Sequence, residues 1–242
     1  MQNEWWKEFF EGPAAEVWHR VVTPEWTQAE AEFLARWFDP GSQVLDVPCG
    51  DGRLAVALAQ RGMQVTGVDG SALLLGHARV ASAGLPVTWR RSDMRELPWA
   101  GVFDGAWCLG NSFGYLGDEG DATFLAAVHT ALRPGGRFVL EAASAEAVFP
   151  RFQPRRWWPV GDWIFASAVT YDPLEGRVCS EYTVVHDGKV SRMTAWQRVR
   201  CAREVIAMLR AAGFADVQLY GGIKCAPLGL GGDQPALFVA VA

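Results

Sequence analysis

The sequence lacks the cysteine spacing of a metal or disulfide framework. Its five cysteines are scattered along 242 residues, and none belongs to the Cys-x-x-Cys pair that is typical of zinc sites and redox motifs. The four histidines are isolated from one another, and among them His19 and His186 are the candidates for a general base. These absences predict a protein with neither a structural metal nor a disulfide scaffold.

Excess basic charge, long apolar runs and a leader segment are also missing. The chain has 22 basic and 27 acidic residues and a net charge of −5, whereas a nucleic-acid partner requires a basic surface. No apolar run reaches the roughly 20 residues that span a bilayer. Residues 1–6 lack the basic and apolar regions of a signal peptide. We therefore expect a cytoplasmic protein that binds neither nucleic acid nor membrane.

The most informative stretch that is present is residues 44–53, with the sequence VLDVPCGDGR. Asp46 closes an apolar run, Gly50 and Gly52 mark a tight turn, and a helical pattern follows. Glycines let backbone N–H groups approach a ligand, and the start of the helix adds its positive end. A second apolar run ends 19 residues after Gly50 at Asp69, where a carboxylate can accept from a ribose diol. The pattern predicts a nucleoside-binding βαβ unit.

Two kinds of nucleoside cofactor fit a glycine-rich turn. Residues 50–55 also satisfy the G-x-G-x-x-G/A pattern of dinucleotide-binding folds. Asp46 distinguishes the two, because a carboxylate four residues before the first glycine repels a pyrophosphate but attracts an amino group and a sulfonium. Here the sequence resembles the class I S-adenosylmethionine-dependent methyltransferases, whose first motif is an acidic residue, a glycine-rich turn and a helix. Pro48 departs from the family pattern, which usually has glycine at that position.

The resemblance continues along the chain. Asp93 and Met94 follow a β-like run at residues 87–90, at the position where family members hold the adenine. The resemblance implies that the Asp93 carboxylate accepts from the adenine amino group and that the next backbone N–H serves a ring nitrogen. Residues 102–109 match a fourth buried strand, and residues 132–141 match the helix end, turn and fifth strand of the family. In total the resemblance covers residues 43–141 and 202–241.

The resemblance implies S-adenosylmethionine as cofactor. The residues that it assigns to cofactor binding are Asp46, Pro48, Gly50, Gly52, Asp69, Gly70, Ser71, Asp93, Met94 and Leu109.

The acceptor side is predicted from the segment after the fourth strand, because open α/β sheets bind ligands at the carboxyl edge. Residues 111–115, NSFGY, lie there, and Asn111 and Tyr115 are predicted substrate contacts. The alternative is that Phe113 and Tyr115 are core aromatics under a loop. DNA amino-methylating enzymes carry Asn-Pro-Pro-Tyr at this point. Since both prolines are absent, a flipped-base mechanism is not supported.

Tryptophan is abundant, with 12 residues, and most are expected in packing. Several lie in segments that family members fold over the active site, and an aromatic face suits an apolar substrate or a sulfonium. Trp196 is the predicted substrate contact among them. The others in such segments are Trp5, Trp6, Trp157 and Trp158.

The fold class predicted is α/β, a doubly wound, mostly parallel seven-stranded sheet of the Rossmann-like methyltransferase type with an inserted antiparallel β ribbon. Residues 1–149 and 200–242 form the cofactor core with an N-terminal helical lid, and residues 150–199 form the insertion over the substrate site. Helices are predicted over 4–20, 25–38, 52–61, 71–83, 120–132 and 202–212. Sheet strands are predicted near 43–47, 64–68, 87–91, 103–108, 136–141, 215–220 and 236–241, and ribbon strands near 163–171, 177–186 and 189–199.

The predicted function is transfer of a methyl group to a nitrogen or oxygen atom of a small-molecule acceptor. The alternatives are an NAD-dependent oxidoreductase and a non-catalytic nucleoside-binding regulator. No catalytic residue is assigned, since a neutral thioether leaves without protonation and a base is needed only for a protonated acceptor. By architectural analogy with N-methyltransferases of glycine and amino sugars, the ribbon caps the pocket or pairs two subunits as a homodimer.

Overall fold

The strands of the protein fall into two sheets. The structure is a computed structural model that describes residues 4–230 and 234–242. The strands are β1 (Gln43–Asp46), β2 (Gln64–Asp69), β3 (Val87–Arg91), β4 (Phe103–Phe113), β5 (Leu132–Ala142), β6 (Arg155–Val160), β7 (Trp163–Asp172), β8 (Arg177–His186), β9 (Lys189–Arg198), β10 (Ala215–Gly221) and β11 (Ala236–Val241).

The central sheet has seven strands in the order β10-β11-β5-β4-β1-β2-β3. All neighbouring pairs from β5 to β3 are parallel, and β11 runs antiparallel to both of its neighbours. The prediction of a doubly wound, mostly parallel seven-stranded sheet is confirmed. The strand order reverses between β1 and β4, and ligands of open α/β sheets bind in the crevice outside such a point.

Helices cover both faces of this sheet and precede it at the N-terminus. They are α1 (Trp6–Phe9), α2 (Pro13–Val21), α3 (Pro24–Leu34), α4 (Arg53–Ala59), α5 (Ala72–Ala81), α6 (Gly117–Ala131), α7 (Ala145–Val148) and α8 (Ala202–Ala211). Within the described residues, no helix combines the length and the apolar character needed to cross a membrane.

The sheet is buried on both faces, which explains why its strands are apolar without alternation. Leu45 and Phe138 point to one face, where they pack with residues of α6 and α8. Val44, Trp107 and Val139 point to the other face, against α3 and α4. Adjacent residues of a strand therefore pack against opposite layers of helices. Because each strand is held from both sides, its end has a fixed position.

The second sheet is the insertion, with four antiparallel strands in the order β6-β7-β8-β9. Three of them were predicted, but β6 was not, since Arg-Arg-Trp-Trp-Pro-Val lacks the alternation of a half-buried strand. Strand β6 is stabilised instead by its pairing with β7, which extends along the whole of Arg155–Val160.

The helix boundaries differ from the predictions where backbone chemistry overrides periodicity. The single helix predicted over 4–20 is wrong: α1 and α2 are separated at Gly12, which is extended with φ −131°. Pro13 then starts α2 at a position where its missing N–H is tolerated. The helix predicted over 25–38 ends at Leu34.

Candidate functional site

A cavity of about 940 Å³ opens at the carboxyl edge of the central sheet. Its floor is formed by the loops that follow β1, β2, β3 and β4. Its cover is formed by α1 and α2 and by the inner face of β8 and β9. The volume is within the range of small-molecule and cofactor sites.

Asp69 ties the end of β2 to the glycine-rich loop. Its Oδ2 accepts from the backbone N–H of Gly50 at 2.8 Å, and its Oδ1 accepts from that of Ser71 at 2.8 Å. Burial raises the pKa of the Asp69 carboxyl, and these backbone donors oppose the shift. A carboxylate has about four acceptor positions, so each oxygen can take one further hydrogen bond from a diol in the cavity.

Gly52 has a different role from the one that the resemblance implies. It is buried, it is not among the described lining residues of the cavity, and its φ is +79°. A Cβ at this position would lie 2.4 Å from the ring of Trp89. The same ring lies over Gly67, and its Nε1 donates to Ser82 Oγ at 2.9 Å. Gly52 therefore permits a left-handed turn and the close approach of the Trp89 ring, while Gly50 lines the cavity.

Asp46 is the buried carboxylate at the floor of the cavity. It is only 3% exposed, and no hydrogen bond of ordinary geometry reaches its Oδ2 among the described residues. Burial raises the pKa of the Asp46 carboxyl well above its usual value; Arg53 opposes this shift, Asp69 adds to it, and the Trp107 side chain is close enough to lower the pKa slightly. A buried polar atom without a partner is rare in folded proteins. This oxygen is therefore suited to a ligand donor such as an amino group.

Asp93 is held by a neighbouring arginine. Its Oδ1 accepts from the backbone N–H and the Nε of Arg95, both at 2.9 Å. Arg95 Nη2 reaches Asp93 Oδ2 at 2.5 Å and also donates to Glu4 Oε1 at 2.9 Å. Partial burial raises the pKa of Asp93, but the Arg95 hydrogen bonds outweigh it and keep the pKa below its usual value. The structure thus places Asp93 on the cavity wall as part of an ion-paired cluster that also anchors α1.

The remaining cofactor residues predicted from the sequence line the same half of the cavity. Pro48, Gly70, Ser71, Met94 and Leu109 all contribute to its wall. The peptide bond between Val47 and Pro48 is cis. Ser71 also contacts the cover, because its Oγ donates to the carbonyl of Phe10 at 2.8 Å.

Asn111 lines the cavity but its side chain holds the insertion. Its backbone has φ +65°, and its Nδ2 donates to Gln197 Oε1 at 3.1 Å. In return Gln197 Nε2 donates to the carbonyls of Asn111 at 2.7 Å and Phe113 at 3.0 Å. We call this pair the Asn111–Gln197 clamp; it fixes β9 over the end of β4, which extends to Phe113 and beyond the predicted end at 108.

Tyr115 lies in an aromatic cluster beneath α1. Its ring centroid is 4.7 Å from that of Trp5 and 6.3 Å from that of Phe10. Burial raises the pKa of the Tyr115 phenol, so the hydroxyl is neutral at physiological pH. Phe113 is only 2% exposed and belongs to the core. The alternative of a core aromatic therefore holds for Phe113, whereas Tyr115 lines the cavity.

Trp196 is not among the described residues that line the cavity, although its neighbours Ala195 and Gln197 are. Successive side chains of a strand point to opposite faces, and Trp196 packs against the aromatic cluster of Trp5 and Phe9 instead of lining the cavity. The Arg177 guanidinium lies 5.5 Å from the centroid of the Trp196 ring.

The histidines differ in their relation to the site. His19 of α2 lines the cavity, and its Nδ1 lies 2.5 Å from Asp51 Oδ2 in the glycine-rich loop. His186 is not among the described lining residues; its ring stacks on Trp163 with centroids 4.0 Å apart. Only His19 is therefore placed to act at the cavity.

Glu141 is a lining residue that the sequence reasoning missed. It lies at the carboxyl end of β5, and its Oε2 accepts from the backbone N–H of Gly110 at 3.0 Å. Burial raises the pKa of Glu141 to about 7, with the Gly110 hydrogen bond in opposition. A signal was present, because Glu141 ends an apolar strand in the same way as Asp46 and Asp69.

Comparison with known proteins agrees with this arrangement. Residues 44–136 match the family model described as a methyltransferase domain. The chain is 31% identical over 217 residues to the ubiquinone/menaquinone biosynthesis C-methyltransferase UbiE of Desulfotalea psychrophila, a match that covers 84% of this chain and 78% of that protein. It is 32% identical over 138 residues to the ubiquinone biosynthesis O-methyltransferase of Pseudomonas aeruginosa, covering 50% of this chain and 58% of that protein.

Two solved structures show the same fold across nearly the whole chain. The CcbJ methyltransferase from Streptomyces caelestis superposes with a TM-score of 0.81 at 20% identity, covering 96% of this chain and 97% of that one. CalS10, an amino pentose methyltransferase from Micromonospora echinaspora with S-adenosylmethionine bound, superposes with a TM-score of 0.71 at 21% identity, covering 93% and 94%.

Proposed function

Because the chain belongs to the class I S-adenosylmethionine-dependent methyltransferases, we propose that it methylates a nitrogen or oxygen atom of a small molecule. The chain is an enzyme of this family, and S-adenosylmethionine is its methyl donor. Family membership sets aside the two alternatives, an NAD-dependent oxidoreductase and a nucleoside-binding regulator.

The observation that carries the proposal is the cover over the cavity. Helices α1 and α2 and strands β8 and β9 overlie the floor, so an acceptor has to fit beside the cofactor in a partly covered cavity of about 940 Å³. The names of two relatives agree with a small acceptor, since both are methyltransferases of ubiquinone or menaquinone biosynthesis. Those names include both C- and O-methylation, so family membership leaves the acceptor atom open.

The floor fits the cofactor. Asp69 would accept from the ribose, and the partnerless oxygen of Asp46 would accept from the amino group. Asp93 and Met94 would border the adenine, and the other cofactor-side wall is formed by Pro48, Gly50, Gly70, Ser71 and Leu109. When bound, S-adenosylmethionine supplies a methyl group that is already activated on a positively charged sulfur. What the chain itself contributes is orientation of the acceptor and exclusion of water, which can lower a barrier by up to about 7–11 kcal/mol.

The cover is proposed to act as a lid. The N-terminal segment contacts the start of α5 at two points. Ser71 Oγ donates to the carbonyl of Phe10, and the Glu11 carboxylate accepts from the backbone N–H of Ala72 at 2.7 Å. We therefore propose that residues 1–149 and 200–242 are a cofactor core with an N-terminal lid, and that residues 150–199 cover the acceptor.

Two measurements test the proposed function. Calorimetric titration should show binding of S-adenosylmethionine and S-adenosylhomocysteine but not of NAD or NADP, since Asp46 attracts an amino group and repels a pyrophosphate. Incubation with S-adenosylmethionine carrying a deuterated methyl group, in cell extract separated into small-molecule, protein and nucleic-acid fractions, should then label the small-molecule fraction. Label confined to protein or nucleic acid would contradict the proposal.

A further inference from the structure

Glu141 is set apart from the carboxylates of the cofactor half. Asp46 and Asp69 end β1 and β2, and Asp93 follows β3, so these groups lie along three adjacent strands. Glu141 lies near the end of β5, and β4 separates it from β1. It therefore faces the cavity on the side of the end of β4, where Asn111 and Tyr115 form the wall.

The charges around Glu141 leave it without a cationic partner. Among the described residues, no arginine, lysine or histidine forms a salt bridge with it. Arg53 is the cation whose charge lowers the pKa of Glu141, and it is already paired with Glu30. The negative charge of Glu30 adds to the upward shift of the Glu141 pKa. Glu141 also interacts with Cys108 and Tyr115, both of which stay neutral because burial raises their pKa values.

The cavity as a whole is acidic. Its described lining residues include eight acidic residues (aspartate or glutamate) but five basic ones (lysine or arginine). Most of the cations are engaged: Lys7 with Glu4, Arg53 with Glu30, Arg91 with Glu11, and Arg95 with Asp93 and Glu4. Arg156 lies over the ring of Trp158, 4.6 Å from its centroid. An acidic cavity with a free carboxylate at its acceptor end favours a cationic ligand at that end.

We propose, on the basis of the function proposed above, that the acceptor is a primary or secondary amine whose ammonium form is bound and deprotonated by Glu141. An ammonium is the ordinary state of an alkylamine at neutral pH, and it has no lone pair for attack. Glu141 takes one proton and becomes a neutral carboxyl, and the amine regains its lone pair. The nitrogen then bonds to the methyl carbon, the C–S bond breaks with its electrons going to sulfur, and the products are the N-methylated ammonium and S-adenosylhomocysteine. The proton held by Glu141 passes to solvent when the products leave.

The titration of Glu141 is compatible with this role. A base works best when its pKa is near the operating pH, and burial has raised the pKa of Glu141 to about 7. An ordinary exposed glutamate is a much weaker base. A hydroxyl acceptor has no charge to pair with a buried carboxylate, so the arrangement favours the amine over the alcohol.

The test compares matched amines and alcohols on the protein loaded with S-adenosylhomocysteine. The probes are cyclohexylamine, benzylamine and glucosamine, each measured by calorimetry against cyclohexanol, benzyl alcohol and glucose. At least one amine is expected to bind more tightly than its alcohol by about tenfold or more, as for a hydrogen bond to a charged group. In Glu141→Gln this preference should fall to about twofold or less, since the amide is neutral. Glu119→Gln, which removes an exposed carboxylate outside the cavity wall, should keep the preference.

Three results would overturn the proposal. One is that no amine in the set is preferred over its alcohol. Another is that the preference survives in Glu141→Gln. The third is that Glu141→Gln weakens S-adenosylhomocysteine binding by about tenfold or more, which is the scale of a lost charged hydrogen bond and would make Glu141 a cofactor residue. Failure of the proposed function itself is separate, because it would show as transfer of the deuterated methyl group to the protein or nucleic-acid fraction alone, whichever probes the unaltered chain binds.

Discussion

At the scale of single residues, Asp69 has a structural role beside its proposed role in binding the ribose. Its two oxygens already accept backbone N–H groups from Gly50 and Ser71. Asp69→Ala should therefore lower the free energy of unfolding of the cofactor-free protein by about 1–3 kcal/mol, because two buried donors lose their acceptor.

Cofactor binding should suffer in the same variant. Loss of the hydrogen bonds to the ribose should weaken S-adenosylhomocysteine binding by about 2–4 kcal/mol, roughly thirtyfold to several hundredfold. Asp69→Asn should be intermediate, since its amide oxygen still accepts. Denaturant unfolding and calorimetry measure the two effects, and an Asp69→Ala variant that is destabilised yet binds normally would remove the ribose assignment.

Gly52 gives a purely steric prediction. An alanine there would have a positive φ and a Cβ 2.4 Å from Trp89, whose ring is fixed by its bond to Ser82. The variant Gly52→Ala should lose about 2–5 kcal/mol of stability from backbone strain plus overpacking.

Gly84→Ala is the matched control for that substitution. Gly84 has φ +80°, but a Cβ added there would have nothing within 4 Å. Gly84→Ala therefore measures the cost of backbone strain alone, about 1–2 kcal/mol. Equal losses in the two variants, measured by denaturant unfolding, would show that the contact with Trp89 contributes nothing.

The raised pKa of Glu141 has a consequence for stability as well as for chemistry. Its pKa is about 7 in the fold, against an ordinary 4.5, so the folded state binds a proton that the unfolded state has lost. The contribution of Glu141 to the free energy of unfolding is therefore most favourable below pH 4.5, and it falls as the pH rises to about 7. Glu141→Gln should raise the free energy of unfolding at pH 8 by about 1–3 kcal/mol and change it little at pH 4. Unfolding of the cofactor-free protein at both pH values measures this, and an equal effect at both would contradict the assigned pKa.

At the scale of elements, the cover should be the part that responds to the cofactor. Lids come from segments of low local stability, and α1, α2 and β6 to β9 are not paired with the central sheet. They rest on the core mainly through side-chain contacts, together with a backbone hydrogen bond from Arg198 N–H to the carbonyl of Gly114 at 2.8 Å. Hydrogen exchange should therefore slow in residues 4–21 and 155–198 on saturation with S-adenosylhomocysteine, while β1, β4 and β5 change little. Unchanged exchange in both segments would contradict a lid.

Hydrogen exchange can also test the Asn111–Gln197 clamp, which is a single contact between the cover and the core. Gln197→Ala removes three hydrogen bonds to the end of β4, so opening of β9 should become easier by about 1–3 kcal/mol and its exchange correspondingly faster. Thr194→Ala, on an exposed residue of the same strand, should leave that exchange unchanged.

The elements also show what a sequence can and cannot predict. The strand ends carrying Asp46 and Asp69 were predictable because each carboxylate closes an apolar run and is followed by turn residues. Trp196 was misplaced relative to the cavity because the face of β9 that turns inward depends on how the insertion docks, which local sequence does not encode. Gly12 and Pro13 are a sequence signal for the break between α1 and α2, but the aromatic residues on both sides of it keep helical spacing and so predict one continuous helix.

At the scale of the whole molecule, the fold was predictable and the acceptor site was only partly so. Alternating strand and helix patterns over 43–141 fix a parallel sheet and its carboxyl edge, and most cofactor residues sit there. The proposed acceptor end is built from parts far apart in the chain: the N-terminal helices, the ends of β4 and β5, and the insertion. Glu141 was missed for this reason, since its significance depends on which segments come to surround it.

The layering of the cavity has a consequence for the order of events in turnover. The floor that fits the cofactor lies beneath the cover that walls the acceptor side, and Ser71 joins the two layers. The cofactor should thus enter first and its spent form should leave last, giving a compulsory-order reaction. Initial-rate kinetics should then show S-adenosylhomocysteine competing with S-adenosylmethionine but not with the acceptor, whereas competition with both would mean random entry. In such an enzyme the ratio of spent to fresh cofactor in the cell sets the pace, so the same cover that keeps water out also makes the enzyme responsive to methylation supply.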